Sequence, residues 1–321
     1  MFRIESEGIQ MKITRDSFQK AGEWIKQNAC PLEVALWEYK FESGSVARVQ
    51  KYLSAFQNQD GGFGHGIEPD FWFPHSSPMA TWAAGRILID IEAVSINPMV
   101  QSLISYLTKT PQAEPGMWPS VLPEFNQYPH APWWEWEEGV QKIWMFNPSA
   151  ELSALLIKWS EKNSTASQLG WNSLEKAVDH LMDSTEMDMH EISNYQMLHK
   201  LLKPGESLFD KRIKYTLNQV LEKITCLVEK CVDRDVSNWS QYTALPLNFI
   251  DGPDDPLCFK FESLVECNLN YYDKHLTEEG IWNIPWDWNN SFPQEFAVAE
   301  RYWKGILALE RYEIIKSFGR L

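Results

Sequence analysis

The sequence lacks most features that place a protein in a class at sight. Its five cysteines, Cys30, Cys226, Cys231, Cys258 and Cys267, are odd in number and include no CxxC. That argues against a disulfide framework and fits reduced thiols in a cytoplasmic protein. No run approaches the ~20 apolar residues of a spanning helix. The opening Met1–Gly8 carries acids and no apolar stretch, so no signal peptide is expected there. Positive charge is scarce: 29 Lys and Arg stand against 44 Asp and Glu, a net charge of -15. Such an acidic chain repels phosphate backbones and anionic lipid, so neither nucleic acid nor a membrane surface is an expected partner. There is no G-x-G-x-x-G, no Walker A and no G-x-S-x-G motif, which removes support for nucleotide cofactors and hydrolase serines. Strand alternation and long Gly/Ser linkers are also missing.

What remains is helical periodicity and an excess of aromatics. Phe18, Ala21, Ile25 and Ala29 share a face over residues 16–29, as do Val46, Val49, Leu53 and Phe56 over 45–57. Ser77-Pro78 reads as an N-cap followed by Pro at the first helical position, and Asn147-Pro148 repeats that start signal. Further helices are expected at 97–109, 171–184, 187–202, 206–231, 258–275 and 294–317. Ten to twelve helices make five or six hairpins, and the expectation is one all-α domain spanning residues 1–321. Long loops at 58–76, 110–146, 232–257 and 279–293 hold most of the Pro, Gly, Trp and His. Sixteen Trp and eleven Tyr fit two readings. They line a small-molecule site, or they are large spacers in the core.

The segment Tyr52–Gly64 contains Gln57, Asp60, Gly61, Gly62 and Phe63. It resembles the squalene-cyclase-like repeat of the terpenoid cyclase and protein prenyltransferase superfamily. In that pattern Gln57 bonds backbone groups where a helix stops, Asp60 caps the turn, the glycines supply positive φ, and Phe63 tucks between hairpins. Weaker echoes run from Tyr106-Leu107 to Gly116-Met117-Trp118 and from Tyr272 to Gly280-Ile281-Trp282. The segments Gly61–Asp70, Tyr128–Trp134, Asn147-Pro148 and Ser317–Leu321 are similar to a group of uncharacterised bacterial toroid proteins. The resemblance implies an α/α toroid, a closed ring of helical hairpins. It implies no reaction, because the catalytic motifs of the superfamily do not transfer. Asp251-Gly-Pro-Asp254-Asp255 has the wrong spacing for Asp-x-Asp-Asp. Asp254-Asp255-Pro-Leu-Cys258 ends in Cys where the magnesium-binding motif requires Asp. Asp255 to Cys258 is one residue too long for the zinc motif, although His275 lies downstream.

Three loop clusters carry candidate chemistry. His65, Glu68, Asp70 and His75 lie within eleven residues. Two carboxylates and two imidazoles suit acid/base work, with Glu68 and Asp70 as acid and base and His65 or His130 assisting. The same four residues suit a divalent metal, although nothing in the sequence requires a cofactor. The plainer reading is that the acids cap turns and bind backbone amides. The second cluster is His130, Trp133, Trp134, Glu135, Trp136, Glu137 and Glu138, in which indole faces would stack on a sugar and a nearby acid would protonate a leaving oxygen; a proline-stiffened aromatic plug is the alternative. The third is Trp286 and Trp288 beside Asp287, where packing under the last helix competes with ligand binding. His75, Trp133, Trp134, Glu135, Trp286 and Trp288 are therefore the expected substrate contacts. The leading expectation is an enzyme acting by carboxylate chemistry on a neutral, ring-containing substrate such as a carbohydrate, as a hydrolase or lyase. An isoprenoid enzyme and a non-catalytic binding or scaffold protein are the alternatives. The sequence leaves oligomeric state open.

Overall fold

A computed structural model describes residues 13–321. The opening Met1–Gly8, read above for a leader, lies outside the described residues. Among those described, the regular structure is helical, and β pairing is confined to isolated bridges. The helices are α1 (Arg15–Asn28), α2 (Pro31–Phe41), α3 (Val46–Leu53), α4 (Pro78–Asp90), α5 (Pro98–Lys109) and the single turn α6 (Gln141–Trp144). They continue with α7 (Ser149–Trp159), α8 (Thr165–Asp183), α9 (Met189–Leu202), α10 (Glu206–Arg212), α11 (Leu217–Cys231), α12 (Pro256–Lys260), α13 (Glu262–Lys274) and α14 (Pro293–Ser317). No helix is long and apolar enough to cross a membrane among the described residues. All five cysteines are free thiols.

Local signals account for most boundaries. The Ser77 hydroxyl accepts from the Ala80 amide at 3.1 Å with Pro78 behind it, as the sequence predicts. The second start signal behaves differently. Asn147-Pro148 is a cis peptide, Pro148 itself sits at the N-cap, and the Asn147 side chain is taken by Asn194 at 2.9 Å. The stretch expected as one helix over 206–231 divides into α10 and α11. Asp210 accepts from the Leu217 amide and Thr216 forms a capping box with Gln219, so α11 begins afresh. Helix α2 carries no sequence expectation. Leu32, Ala35, Leu36 and Trp37 are buried and Val34, Tyr39 and Phe41 are partly buried, so it has no single apolar stripe to read.

Helices α1, α2 and α3 pack in succession, and α14 returns to lie against both α1 and α2. Helix α4 contacts α5 and α7; α7 contacts α8 and α9; α8 and α9 both contact α11. Lys40 on α2 bridges Asp90 on α4 and Glu313 on α14, each at 2.6 Å. Around the α1–α2–α14 junction the rings of Phe18, Trp37, Phe41 and Tyr312 meet with centroids 4.6–5.6 Å apart. Contacts at these distances add aromatic pairing to area burial.

The repeat-like turns share one local design. Gly61, Gly116 and Gly280 have φ of 94°, 84° and 77°, each two residues before a buried aromatic: Phe63, Trp118 and Trp282. The Trp118 indole donates to the Leu107 carbonyl and that of Trp282 to Tyr272, at the end of the preceding helix in both cases. Each glycine lies against another helix. A Cβ at Gly61 would meet the Ser102 carbonyl oxygen on α5 at 2.3 Å, at Gly116 the Lys176 side chain on α8 at 2.9 Å, and at Gly280 the Ser17 carbonyl oxygen on α1 at 2.0 Å. Gln57 donates to Gly61 and Met99 carbonyls, and Asp60 accepts from the Gly62 amide, as the motif reading expects.

Candidate active site

The loop between α3 and α4 is pinned at both ends. Phe63 pairs with Gln57 and Ser77, and Phe71 pairs with His130. The Asp70 carbonyl accepts from the Ala131 amide at 2.7 Å. Between these pins Asp70 turns into the protein and Glu68 is half-buried beside it. Asp70 is 3% exposed. Its Oδ1 accepts from the indole of Trp288 at 2.9 Å. The N–H groups of Trp303 and Trp286 also face this carboxylate and lower its pKa, although neither makes a hydrogen bond of good geometry. Burial outweighs all three indoles and lifts Asp70 to about 6. Glu68 is raised well above the usual carboxylate range, by burial first, then by the Asp70 charge and by Glu310. No basic side chain neutralises either acid at hydrogen-bond distance among the described residues. A desolvated carboxyl without a counter-ion keeps its proton to a higher pH than one in water.

Other groups look onto the same space from different elements. Glu310 on α14 is open to solvent yet surrounded by protein. Burial raises its pKa, while Arg86 and then Arg311 lower it. Trp303 and Glu310 are seven residues apart, two turns along one stripe of α14. Tyr242, 51% exposed, has its hydroxyl pKa raised by its surroundings and then by Asp188, Asp70, Glu68 and Glu310. The Tyr242 hydroxyl lies 2.6 Å from His190 Nε2, and its ring meets Trp286 edge-on at 5.3 Å. Trp286 in turn meets Trp303 at 5.3 Å. Burial lowers the His190 pKa, which favours the neutral imidazole.

The structure sorts the expected residues sharply. Glu68, Asp70, Trp286 and Trp288 come together. Trp288, expected to stack on a ligand, is fully buried and holds Asp70 instead. His65 and His75 are exposed, and His65 Nε2 lies 2.9 Å from the side-chain amide oxygen Oδ1 of Asn58. Among the described residues, no group of three or more His, Cys, Asp or Glu is arranged to hold a metal, so His65, Glu68, Asp70 and His75 do not converge as ligands. His130 is buried, its Nδ1 2.7 Å from the Tyr128 carbonyl oxygen and its ring 5.8 Å from Phe292. Trp134 is packed between Trp144, at 4.4 Å, and Phe71, at 4.7 Å. Trp133 and Glu135 are exposed. Sequence reasoning missed Tyr242, Trp303, Glu310 and His190. Only the Trp303–Glu310 spacing carried a signal for them. No protein-family model, curated protein or solved structure matches the chain.

Proposed function

We propose that the helices close into an α/α toroid and that its centre acts on a neutral, ring-containing polar molecule, a carbohydrate, by carboxylate acid/base chemistry. Support for the ring comes from the repeated turns. The Gly61 and Gly116 turns each pack on a helix of the following hairpin, and the Gly280 turn packs on α1, bringing the last repeat onto the first. One observation carries the chemical reading. Two adjacent carboxyls, Glu68 and Asp70, are desolvated without a cation, and a third, Glu310, faces them from another element. Perturbed acids gathered in a recess mark chemistry more often than architecture.

In a hydrolysis at this site, Glu68, held protonated, gives its proton to the leaving oxygen as the glycosidic carbon–oxygen bond breaks. Water attacks the sugar carbon and loses its proton to Glu310. Asp70, held by the Trp288 indole, carries the charge that stabilises the developing oxocarbenium ion. Tyr242 and Trp286 offer aromatic surface for the ring. A second reading has one specific support. A neutral carboxyl among indoles also suits protonation of an isoprenoid alkene, with the indole faces stabilising the resulting carbocation.

Thermal-shift titration separates the readings. A ligand at a hundredfold its Kd stabilises by about 2.7 kcal/mol. The carbohydrate reading expects a rise in Tm with an oligosaccharide that is lost in Trp286→Ala and Glu310→Ala. It expects Glu68→Gln to bind the sugar but not turn it over. A rise with isoprenoids alone moves the assignment to the second reading, and no rise with either class removes both.

A further inference from the structure

His190 has no part in the chemistry above, yet its place is well defined. It is the second residue of α9, and its amide donates to the Asp188 carboxylate at 2.8 Å. Its Nε2 lies 2.6 Å from the hydroxyl of Tyr242, in the loop between α11 and α12, and the two rings are nearly parallel, at 22°. Tyr242 meets Trp286, and Trp286 meets Trp303, whose indole faces Asp70. A chain of rings therefore joins the His190–Tyr242 pair to the acids.

Which atom of the pair donates decides what Tyr242 can offer a ligand. A neutral imidazole has a nitrogen that accepts, whereas an imidazolium only donates. Burial lowers the His190 pKa first; Asp188 opposes this and Arg86 assists it. The first turn of a helix also disfavours a cation. The Tyr242 hydroxyl keeps its proton, because burial and then the charges of Asp188, Asp70, Glu68 and Glu310 raise its pKa. Between a phenol and a neutral imidazole, the phenol is the stronger acid and the ring nitrogen the stronger base. The 2.6 Å separation agrees, since it is shorter than the ~2.7–3.2 Å of an N–H···O bond. The Tyr242 O–H is thus spent on His190, and among the described residues its oxygen makes no other hydrogen bond. We propose that His190 is a positioning residue that makes Tyr242 a hydrogen-bond acceptor, so that the centre selects rings carrying a free hydroxyl beside the Tyr242–Trp286 surface over the same rings capped as ethers. The proposal rests on the carbohydrate reading and narrows it. A ligand hydroxyl donates to the Tyr242 oxygen, whereas an ether oxygen meets it lone pair to lone pair.

The test has two parts, both on the full chain. With isotope-labelled histidine, the NMR signals of the His190 ring, identified by their loss in His190→Phe, should show a bare Nε2 and a protonated Nδ1 at neutral pH. A protonated Nε2 overturns the proposal. Ligand-detected NMR titration then compares trans-1,2-cyclohexanediol, a neutral ring with vicinal hydroxyls, with its dimethyl ether. The diol is expected to bind saturably and about three- to tenfold more tightly. The two variants should close that gap from opposite sides. Tyr242→Phe removes the acceptor and weakens the diol, whereas His190→Phe keeps the stacked ring, releases the Tyr242 O–H and strengthens the ether. Absence of saturable diol binding, equal binding of the two probes, or a gap that survives both variants overturns the proposal. The carbohydrate reading is judged apart, by the oligosaccharide titration with Glu310→Ala. A protein that passes there and fails here keeps its chemistry and loses the role given to His190.

Discussion

Two carboxylate arrangements in this protein are built on opposite principles. Glu151 on α7 is completely buried, and everything around it answers its charge. Arg86 donates to it from Nε at 2.9 Å and Nη2 at 2.7 Å, the Trp82 indole donates at 2.7 Å, and Arg86 also reaches Ser193 on α9. Arg86 lies over the Trp82 ring as well. Asp70 is buried against indoles and Glu68 is half-buried beside it, and neither meets a cation. The first arrangement ties α4, α7 and α9 together. The second leaves protons poised to move. The contrast teaches that burial of an acid is not itself a functional signal. Burial without a counter-charge is the informative case, because the fold has to carry that cost and gains no packing from it.

Breaking the compensated pair should have the largest effect. Arg86→Met leaves Glu151 charged and unpaired in the interior, and a loss of about 3–5 kcal/mol is expected, read as a fall in the urea midpoint. Adding Glu151→Leu should return a large part of it. If Arg86→Met costs less than about 1 kcal/mol, the two carboxylate sets are alike and the comparison fails.

The uncompensated pair should respond to pH in the opposite sense from a salt bridge. Asp70 titrates near 6 when folded, above the ordinary aspartate value of about 3.9. A group raised in this way contributes stability below its unfolded pKa, and that contribution is lost as pH rises through its folded pKa. Wild-type stability is therefore expected to increase by about 2–3 kcal/mol as pH is lowered from 7.5 to 4. Asp70→Asn should flatten that rise. An unchanged pH profile in Asp70→Asn would place the titration elsewhere. Glu68 and Glu310 are raised too, and Glu33 on α2 is a further candidate, since burial raises it to about 7 beside Cys30.

How much of this was legible in the sequence depends on the range of the interaction. Helix starts written in neighbouring residues, such as Ser77-Pro78 and Gln57 to Phe63, were readable because the capping and turn bonds are local. Helix α2 was not, since a helix buried on several sides has no periodic stripe. At the site, Glu68 and Asp70 stood out as paired acids in a loop rich in glycine and proline. Their meaning did not, because it depends on Trp288 and Trp303, more than 200 residues away in the chain. Histidine misled for the same reason. His65 and His75 are close in sequence to the acids but exposed, while His190, which lies in no sequence cluster, is 2.6 Å from the hydroxyl of Tyr242.

The finest probe of the difference is the one hydrogen bond to Asp70 that meets full geometry. Trp288→Phe keeps an aromatic ring against Phe296 and removes the indole donor, together with some buried volume whose cost is the same at every pH. A donor to an ionised carboxylate is worth about 1.5–3 kcal/mol, and one to a neutral partner about 0.5–1.5. The substitution should therefore cost more at pH 8, where Asp70 is charged, than at pH 5, where it is largely protonated. The folded pKa of Asp70 should move further up, because a bond that favours the charged form has gone. A cost that is the same at both pH values would mean that Trp288 holds Asp70 by packing alone. The acid pair would then be a desolvated pair without a tuned member, and the separate roles given to Glu68 and Asp70 would have to be withdrawn.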